Sequence, residues 1–265
     1  MELDHESLLN ADQGHALVVL NNFRRELSHN DALLIELWKR ASFVVVADGA
    51  ATYTSKLYEI GISAPNAVCG DFDSVEEATL NDHLDRGSAI IRLDSQNHTD
   101  LQKCVHIVAC NQLGIHTQKQ DDILSLELTD ELQLDVIVFG AFGGRFDHEM
   151  SAIHELYRSQ HWFRSITLLS NCNLACLIRP GRTVIKCHKQ LQLGSTCGLL
   201  PLGSPVTSIS TKGLKWDILK RSLKLGTFVS TSNRIISDTI EIECSEPVIL
   251  TTSLTSQQYQ RSIFT

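Results

Sequence analysis

Up to about residue 169, short β-branched runs alternate with amphipathic stretches, and this alternation constrains the fold more than any other feature of the chain. Residues 16–20 (ALVVL) and 43–47 (FVVVA) are apolar runs of strand length. Between them, residues 31–40 place four large apolar side chains at helical spacing. Repeated strand and helix units of this kind predict a mostly parallel sheet covered by helices.

After residues 165–169 (SITLL) the helical periodicity ends, and short apolar runs separated by turn residues continue to the C-terminus. Pro-Gly, Gly-Ser and Lys-Gly pairs mark the turns, which is typical of a small sandwich or barrel. The predicted fold class is α/β plus all-β, with a Rossmann-like, mostly parallel α/β domain at residues 1–170 and an all-β domain, a small sandwich or barrel, at residues 171–265. The polar, acidic segment 118–133 is expected to be a surface loop.

Four of the apolar runs in the first part are followed by polar, chemically capable segments. These segments are residues 48–51 (DGAA), 70–74 (GDFDS), 94–100 (DSQNHTD) and 143–148 (GGRFDH). In an open α/β sheet, the carboxyl ends of the strands form the ligand crevice. The four junctions are therefore predicted to meet in space, and Asp48-Gly49, with its small neighbours, is expected to let the backbone approach a ligand closely.

Asp71 and Asp73 are the most informative pair within these junctions. Residues i and i+2 of an extended strand end face the same side, so both carboxylates are predicted to converge while Phe72 turns into the protein. Like charges this close repel, and Mg²⁺ held by one or two carboxylates and substrate phosphates compensates them. Acidic pairs at turns are common without a metal, so the weight of this pair comes from the other junctions.

The bulk composition excludes several classes of protein. A formal net charge of −8 argues against general nucleic-acid binding, which requires a basic surface. No apolar stretch approaches the roughly 20 residues needed to span a bilayer, so no membrane association is expected and the expected compartment is the cytoplasm. The eight cysteines are scattered through the 265 residues, which indicates free thiols rather than a disulfide framework.

Five segments, in this order along the chain, closely resemble the thiamine pyrophosphokinase family: residues 70–74 (GDFDS), 96–100 (QNHTD), 144–148 (GRFDH), 213–216 (GLKW) and 229–233 (VSTSN). The resemblance spans nearly the whole chain. It implies an N-terminal nucleotide domain, a C-terminal β-sandwich, and a homodimer with active sites between subunits. It also implies a Mg²⁺-dependent reaction in which ATP and thiamine give thiamine diphosphate and AMP.

The resemblance assigns catalytic roles to Asp71, Asp73, Asp100, Arg145 and Asp147. The first three form the group that holds Mg²⁺ against the phosphates, directly or through water. Arg145 offers a planar fork for phosphate oxygens, and Asp147 orients the substrate hydroxyl or accepts its proton. Two alternatives remain open: Asp100 as a helix cap, and Arg145 with Asp147 as a surface ion pair.

The remaining assignments concern the two substrates. ATP contacts are expected from Asp48, Gly49, Asp71, Gln96, Thr99 and Arg145, and thiamine contacts from Trp216, Ser232 and Asn233. Trp216 is expected to stack on the cationic thiamine, although a tryptophan in a β domain is more often a core residue. Phe146 is expected to anchor its segment from below, and Thr99 or Asp100 to cap the following helix.

Two positions depart from the family pattern. Residues 48–52 (DGAAT) stand where the family usually has Asp-Gly-Gly-Ala-Asn, and Asn97 stands where an acidic residue is frequent. One competing hypothesis is another Mg²⁺-dependent nucleotide transferase with a different alcohol acceptor, which Trp216 and Asn233 would distinguish. A second is a protein that binds thiamine or a nucleotide without catalysis, and the presence of all the acidic candidates argues against it.

Overall fold

The computed structural model describes residues 2–4, 14–21, 32–117, 119–128, 131–186 and 195–254. The chain divides into two compact units. We call Gly14–Arg164 the α/β unit, and Ser165–Thr265 together with Met1–Gln13 the β unit. The domain limits 1–170 and 171–265 remain a prediction. The two compact units divide between Arg164 and Ser165. Strand β7 (Phe163–Leu169) spans the division and pairs with the next strand as an antiparallel hairpin.

The α/β unit contains a parallel sheet. Its strands are β2 (Ala16–Val19), β3 (Phe43–Ala47), β4 (Ala67–Gly70), β5 (Ala89–Arg92) and β6 (Leu132–Phe139). The order is β6-β2-β3-β4-β5, and every one of these pairs is parallel. All four residues of β2 are buried, as expected for a strand whose two faces are both covered. The prediction of a parallel α/β arrangement is confirmed.

Helices follow the strands of this unit. They are α1 (Ala32–Arg40), α2 (Asp48–Thr54), α3 (Glu77–Asp85), α4 (Asp100–Gln112), α5 (Gln120–Leu124) and α6 (Phe146–Arg158), with a 3₁₀ segment at Ser55–Ile60. In α1, Leu33, Leu34, Leu37 and Trp38 are buried, so the helical spacing of these side chains forms its core face. Asp31, included in the predicted helix, lies outside the described residues.

Segment 118–133 is not simply a surface loop, and the prediction was wrong on this point. It contains the short helix α5, and β6 begins within it at Leu132. Ile123 is 1% exposed, and the carbonyl of this residue lies 3.0 Å from Nδ1 of His106 in α4. The buried Ile123 side chain and its carbonyl contact thus attach to the unit a segment whose composition is otherwise that of a solvated loop.

The β unit contains two sheets. Their further strands are β1 (Glu2–Asp4), β8 (Asn173–Ile178), β9 (Gly181–Lys186), β10 (Thr196–Leu200), β11 (Val206–Lys212), β12 (Arg221–Leu223), β13 (Ser230–Arg234), β14 (Thr239–Cys244) and β15 (Val248–Ser253). Within the unit, one sheet has the order β7-β8-β15-β10-β13 and the other β1-β9-β14-β11-β12. Both are antiparallel except for the pairing of β1 with β9. The prediction of an all-β C-terminal part is confirmed.

The two sheets of the β unit share one apolar core. Ile178 in β8 and Leu199 in β10 belong to the same buried cluster as Ile185 in β9 and Ile209 in β11. One of the predicted Gly-Ser turns, Gly194-Ser195, lies outside the described residues except for Ser195. Seven described cysteines are free thiols, and six of them are buried, as predicted. Among the described residues, no helix has the length and apolar character that crossing a membrane requires.

A buried histidine at the start of the sheet makes stability depend on pH. His15 is 1% exposed, and burial lowers its pKa from 6.5 to about 4. The unfolded chain binds a proton near pH 6.5 and the folded chain only near pH 4, so the free energy of unfolding is expected to fall on acidification through this window. From pH 7 to pH 5 we expect His15 to account for a loss of about 2 kcal/mol. Urea unfolding at both pH values measures it.

His15→Gln is expected to lose about 2 kcal/mol less than the wild-type protein over the same interval. His154→Gln is the matched control, because His154 is exposed on α6. Equal pH-dependent losses in the wild-type protein and His15→Gln would contradict this account of His15.

Candidate functional site

Three carboxylates at the carboxyl ends of two neighbouring strands come together in the α/β unit. Asp48 is the first residue of α2, directly after β3, and Asp71 and Asp73 follow β4. β3 and β4 are adjacent, with Ala47 opposite Cys69. One carboxylate oxygen from each aspartate lies within 4.8 Å of the other two. We call Asp48, Asp71 and Asp73 the acidic group.

Asp48 is the buried member of the acidic group, at 3% exposure. Its carboxylate accepts hydrogen bonds from the backbone N–H of Phe72 at 3.0 Å and from the Ser74 hydroxyl at 3.3 Å. Gly70 makes this approach possible, because a Cβ on it would lie 2.6 Å from the Cβ of Asp48. The two strand-to-helix junctions are therefore joined through Asp48.

The sequence analysis predicted that Asp71 and Asp73 converge at an extended strand end. They converge in a loop instead. β4 ends at Gly70, and Phe72 has a φ of 61°, in the left-handed region. Phe72 is 9% exposed, so its predicted role as an inward-facing anchor is confirmed. The hydrogen bond from the N–H of Phe72 to Asp48 fixes this turn of the backbone.

Their surroundings shift the pKa values of Asp48 and Asp71 in opposite directions. Burial, together with the negative charge of Asp100, raises the pKa of Asp48 from 3.8 to about 6. Burial also acts to raise the pKa of Asp71, but a hydrogen bond from Gln96 and the positive charge of Lys103 outweigh it, so this pKa lies below its ordinary value. A cation bound among the carboxylates would favour the ionised form of Asp48.

Asp100 is not one of the three carboxylates that lie within 4.8 Å of one another. The predicted metal-binding set of Asp71, Asp73 and Asp100 thus differs from the acidic group by one residue. Burial raises the pKa of Asp100, and the negative charges of Asp71 and Asp73 add to this effect. Asp100 is therefore close enough to the acidic group to interact with it electrostatically, although it lies outside the group.

Gln96 and Thr99 have identifiable partners in the loop before α4. Gln96 Nε2 donates to Asp71 Oδ2 at 3.1 Å, which orients that carboxylate. Thr99 is the N-cap of α4, and it forms a capping box with Gln102 in which each side chain accepts from the other residue's backbone N–H. Of the two predicted caps, Thr99 is the one whose side chain makes the bond, while Asp100 occupies the first turn.

Lys103 is a residue of this region that the sequence analysis missed. It lies on α4, is 2% exposed, and its Nζ lies 3.6 Å from Asp100 Oδ1. A signal was present in the sequence, because Lys103 stands between Leu101 and Cys104 on a helix that begins with an acidic junction. Lysine is almost never fully buried unless it is paired.

Gly49 also lies in a crowded position. A Cβ on Gly49 would lie 2.2 Å from Nδ2 of Asn21, which follows β2 in the chain. The absence of a side chain at this residue is therefore required by packing against Asn21. Asn21 is a second nearby polar residue that the sequence analysis did not select.

Arg145 and Asp147 form an ion pair on the surface, the alternative left open for them. Nε of Arg145 donates to Oδ1 of Asp147 at 3.1 Å, and the two side chains are 69% and 63% exposed. Arg145 is the N-cap residue of α6, and Phe146 begins that helix. Phe146 is 72% exposed, so the expectation that it anchors the segment from below was wrong. In the first turn of α6 it points away from the core.

The β unit presents a cavity of about 360 Å³ beside Trp216. It is lined by Trp216, Asp217, Ile218, Leu219, Arg221, Phe228, Val229, Ser230, Thr231 and Asn233. Trp216 is 54% exposed, so it is not the core residue that a tryptophan in a β domain more often is. Lys215 Nζ lies 4.6 Å from the centroid of the indole ring, within the range of a cation–π contact.

Asn233 holds the backbone of Trp216. Its Oδ1 accepts from Trp216 N at 3.1 Å, and its Nδ2 donates to Trp216 O at 2.8 Å. Oδ1 also accepts from the N–H of Arg234 at 2.8 Å, and Asn233 is 3% exposed. This bonding suits a residue that positions the indole. The structure places Ser232 beside it as an exposed residue with a φ of 59°, outside the set that lines the cavity.

Asp217 supports the same turn from its other side. Its Oδ1 accepts from Thr211 Oγ1 and Leu214 N, both at 3.0 Å, and its Oδ2 accepts from Gly213 N at 3.3 Å. Gly213 has a φ of 98°, and a Cβ on it would lie 2.4 Å from a backbone oxygen. The turn that carries Trp216 is thus fixed at both ends, and sequence analysis did not select Asp217.

Comparisons with known proteins agree with this division of residues. A family model described as thiamin pyrophosphokinase, catalytic domain, matches residues 34–168. A second, described as thiamin pyrophosphokinase, vitamin B1 binding domain, matches residues 182–249. The acidic group lies within the first match, and Trp216 and Asn233 lie within the second.

Similar proteins with these names cover most of the chain. Thiamine pyrophosphokinase 1 of Oryza sativa subsp. japonica is 32% identical over 92% of this chain and 89% of its own length. Thiamine pyrophosphokinase of Saccharomyces cerevisiae is 28% identical over 86% of this chain and 82% of its own. The solved structure of thiamin pyrophosphokinase from Candida albicans has a TM-score of 0.82 at 24% identity, covering 96% of this chain and 92% of that one, and shows a shared fold.

Proposed function

The chain belongs to the thiamin pyrophosphokinase family, and from that premise we propose which of its residues take part in its reaction. In this reaction the pyrophosphoryl group of ATP is transferred to the hydroxyethyl oxygen of thiamine. The products are thiamine diphosphate and AMP. The observation that best supports a residue assignment is the convergence of Asp48, Asp71 and Asp73 within 4.8 Å. We assign the nucleotide phosphates to this end of the α/β unit, with Gly49 and Gln96 beside them.

The acidic group fits Mg²⁺ by its donor set. Carboxylate oxygens are the ligands that this ion takes from proteins, and three converge here. Burial and the negative charge of Asp100 raise the pKa of Asp48, and the positive charge of a cation beside it would favour its ionised form. We propose that Mg²⁺ would be held by Asp48, Asp71 and Asp73. Asp100, which the sequence analysis placed among the ligands, would act on this group through its negative charge. An Mg²⁺ ion bound there would neutralise phosphate charge.

The other polar residues of the α/β unit would position the nucleotide and the attacking hydroxyl. Gln96 keeps Asp71 oriented through its 3.1 Å hydrogen bond, and Thr99 holds the first turn of α4 in place. Arg145 is exposed, so its planar guanidinium can turn to phosphate oxygens. Asp147 would then orient the substrate hydroxyl or accept its proton, and a loose transition state makes strong base catalysis unnecessary.

We propose the cavity beside Trp216 as the thiamine site. Its volume of about 360 Å³ suits a small molecule, and the half-exposed indole offers a face to a cationic ring. Ser232 is exposed next to Asn233 but does not line the cavity, so its proposed hydrogen bond to thiamine would come from the edge of the site. We assign Asn233 to positioning Trp216, since its donors and acceptors are engaged by the backbone of that residue and its neighbours.

Several finer assignments belong to the same proposal. Five parallel strands with flanking helices support a Rossmann-like description of the α/β unit, and two sheets with one core support a β-sandwich. By resemblance to the family, we propose a cytoplasmic homodimer with active sites between subunits. Light scattering coupled to gel filtration would test the dimer, for which a mass near 59 kDa, about twice the 29.5 kDa of one chain, is expected.

A phosphorus NMR assay of the purified protein with ATP, Mg²⁺ and thiamine tests the reaction. AMP and thiamine diphosphate are expected in equal amounts. ADP with thiamine monophosphate would instead place the attack at the γ-phosphorus. Nucleotide binding without turnover of thiamine would mean that another alcohol is the acceptor.

A further inference from the structure

Lys103 is a buried cation beside the acidic group. Its side chain is 3% exposed, whereas that of Asp100, with which it pairs at 3.6 Å, is 47% exposed. Both residues lie on α4, three positions apart, so they share one face of the helix. An exposed lysine would serve equally well in a surface ion pair. Burying the lysine here fixes its charge inside the site.

The charge of Lys103 reaches beyond Asp100. Its positive charge acts on Asp71, whose carboxylate belongs to the acidic group. Asp100, in turn, acts on Asp48. The buried ammonium of Lys103 therefore acts on two carboxylates of this region, that of Asp100 at 3.6 Å and that of Asp71 in the acidic group. A divalent cation entering the acidic group would be attracted by its carboxylates and repelled by the positive charge of Lys103.

We propose that Lys103 is a positioning residue that limits how tightly the acidic group binds a free divalent cation. This inference rests on the proposed metal site. Three converging carboxylates without a counter-charge would favour the bare ion, whereas catalysis needs the ion shared with the phosphates. The ammonium of Lys103 offsets part of the carboxylate charge before the nucleotide binds. Its ion pair also holds the carboxylate of Asp100 next to Lys103 on α4.

Direct Mn²⁺ binding, measured by electron paramagnetic resonance at low ionic strength without nucleotide, tests the proposal. Lys103→Met is expected to bind Mn²⁺ about five- to tenfold more tightly than the wild-type protein, because a repelling charge is removed. Lys103→Arg keeps the charge and is expected to bind like the wild-type protein. Lys39→Met makes the same change in net charge at an exposed position on α1, and its Mn²⁺ affinity is expected to stay unchanged.

The Asp100→Asn background provides a second comparison if Lys103→Met does not fold. The double variant Asp100→Asn, Lys103→Met has no unpaired carboxylate at residue 100. We expect it to bind Mn²⁺ about five- to tenfold more tightly than the Asp100→Asn single variant. A merely structural role for Lys103 predicts unchanged or weaker binding, and that result in folded protein overturns the proposal while leaving the metal site intact. Absence of Mn²⁺ binding by the wild-type protein would instead overturn the metal site, and this inference with it.

Discussion

Replacing Asp71 by asparagine is expected to lower kcat/KM by about 10² to 10³-fold. The substitution keeps the shape of the side chain and an oxygen that can accept from Gln96, but it removes one charge from the acidic group. The two remaining carboxylates attract a divalent ion less strongly, and phosphates that depend on this ion lose their alignment. Initial rates of AMP formation over a range of Mg²⁺ concentrations measure the effect.

The charge in the acidic group, rather than the overall charge of the protein, should account for this loss. Asp85→Asn makes the same change at an exposed position at the end of α3, and we expect it to leave kcat/KM within about twofold of the wild-type value. Added Mg²⁺ should recover part of the rate in Asp71→Asn, because a weakened site fills at higher concentration. A rate close to wild type in Asp71→Asn at low Mg²⁺ would place the metal elsewhere.

Replacing Trp216 by alanine is expected to raise the KM for thiamine by about tenfold or more, with the KM for ATP unchanged. A cation over an indole face is worth about 1–2 kcal/mol when partly desolvated, and the apolar contact of the ring adds to it. Trp216→Phe keeps a smaller aromatic face, so a lesser rise is expected. Initial rates with thiamine varied at saturating ATP, and then with ATP varied, measure the two KM values separately.

Asn233→Ala keeps the indole of Trp216 but removes the side chain that holds its backbone, so it tests the position of the ring. Without the amide, the N–H and carbonyl of Trp216 lose their partner, so we expect a smaller rise in the KM for thiamine and a loss of about 1–3 kcal/mol in the free energy of unfolding. Leu225→Ala is the control, because Leu225 is 55% exposed in the same unit and outside the cavity lining. An unchanged KM for thiamine in both Trp216→Ala and Asn233→Ala would exclude the cavity as the thiamine site.

The sequence by itself determined the strands of the α/β unit and the polar junctions that follow them. Runs such as residues 43–47 are apolar throughout because both faces of a parallel strand are covered, and this signal is local. Asp71 and Asp73 could also be selected from the sequence, because they are close to each other in the chain and their pairing is a local signal. The family resemblance supplied the chemistry and the place of Trp216.

The tertiary structure decided which distant side chains act together. Asp48 and Phe72 are 24 residues apart, and they meet because β3 lies next to β4, an order that no local pattern encodes. The same holds for Asn233, which lies 17 residues from Trp216 and binds its backbone. The family resemblance suggested Asp100 as the third carboxylate, but strand order placed Asp48 beside Asp71 and Asp73, because contacts between separate segments depend on how the whole chain packs.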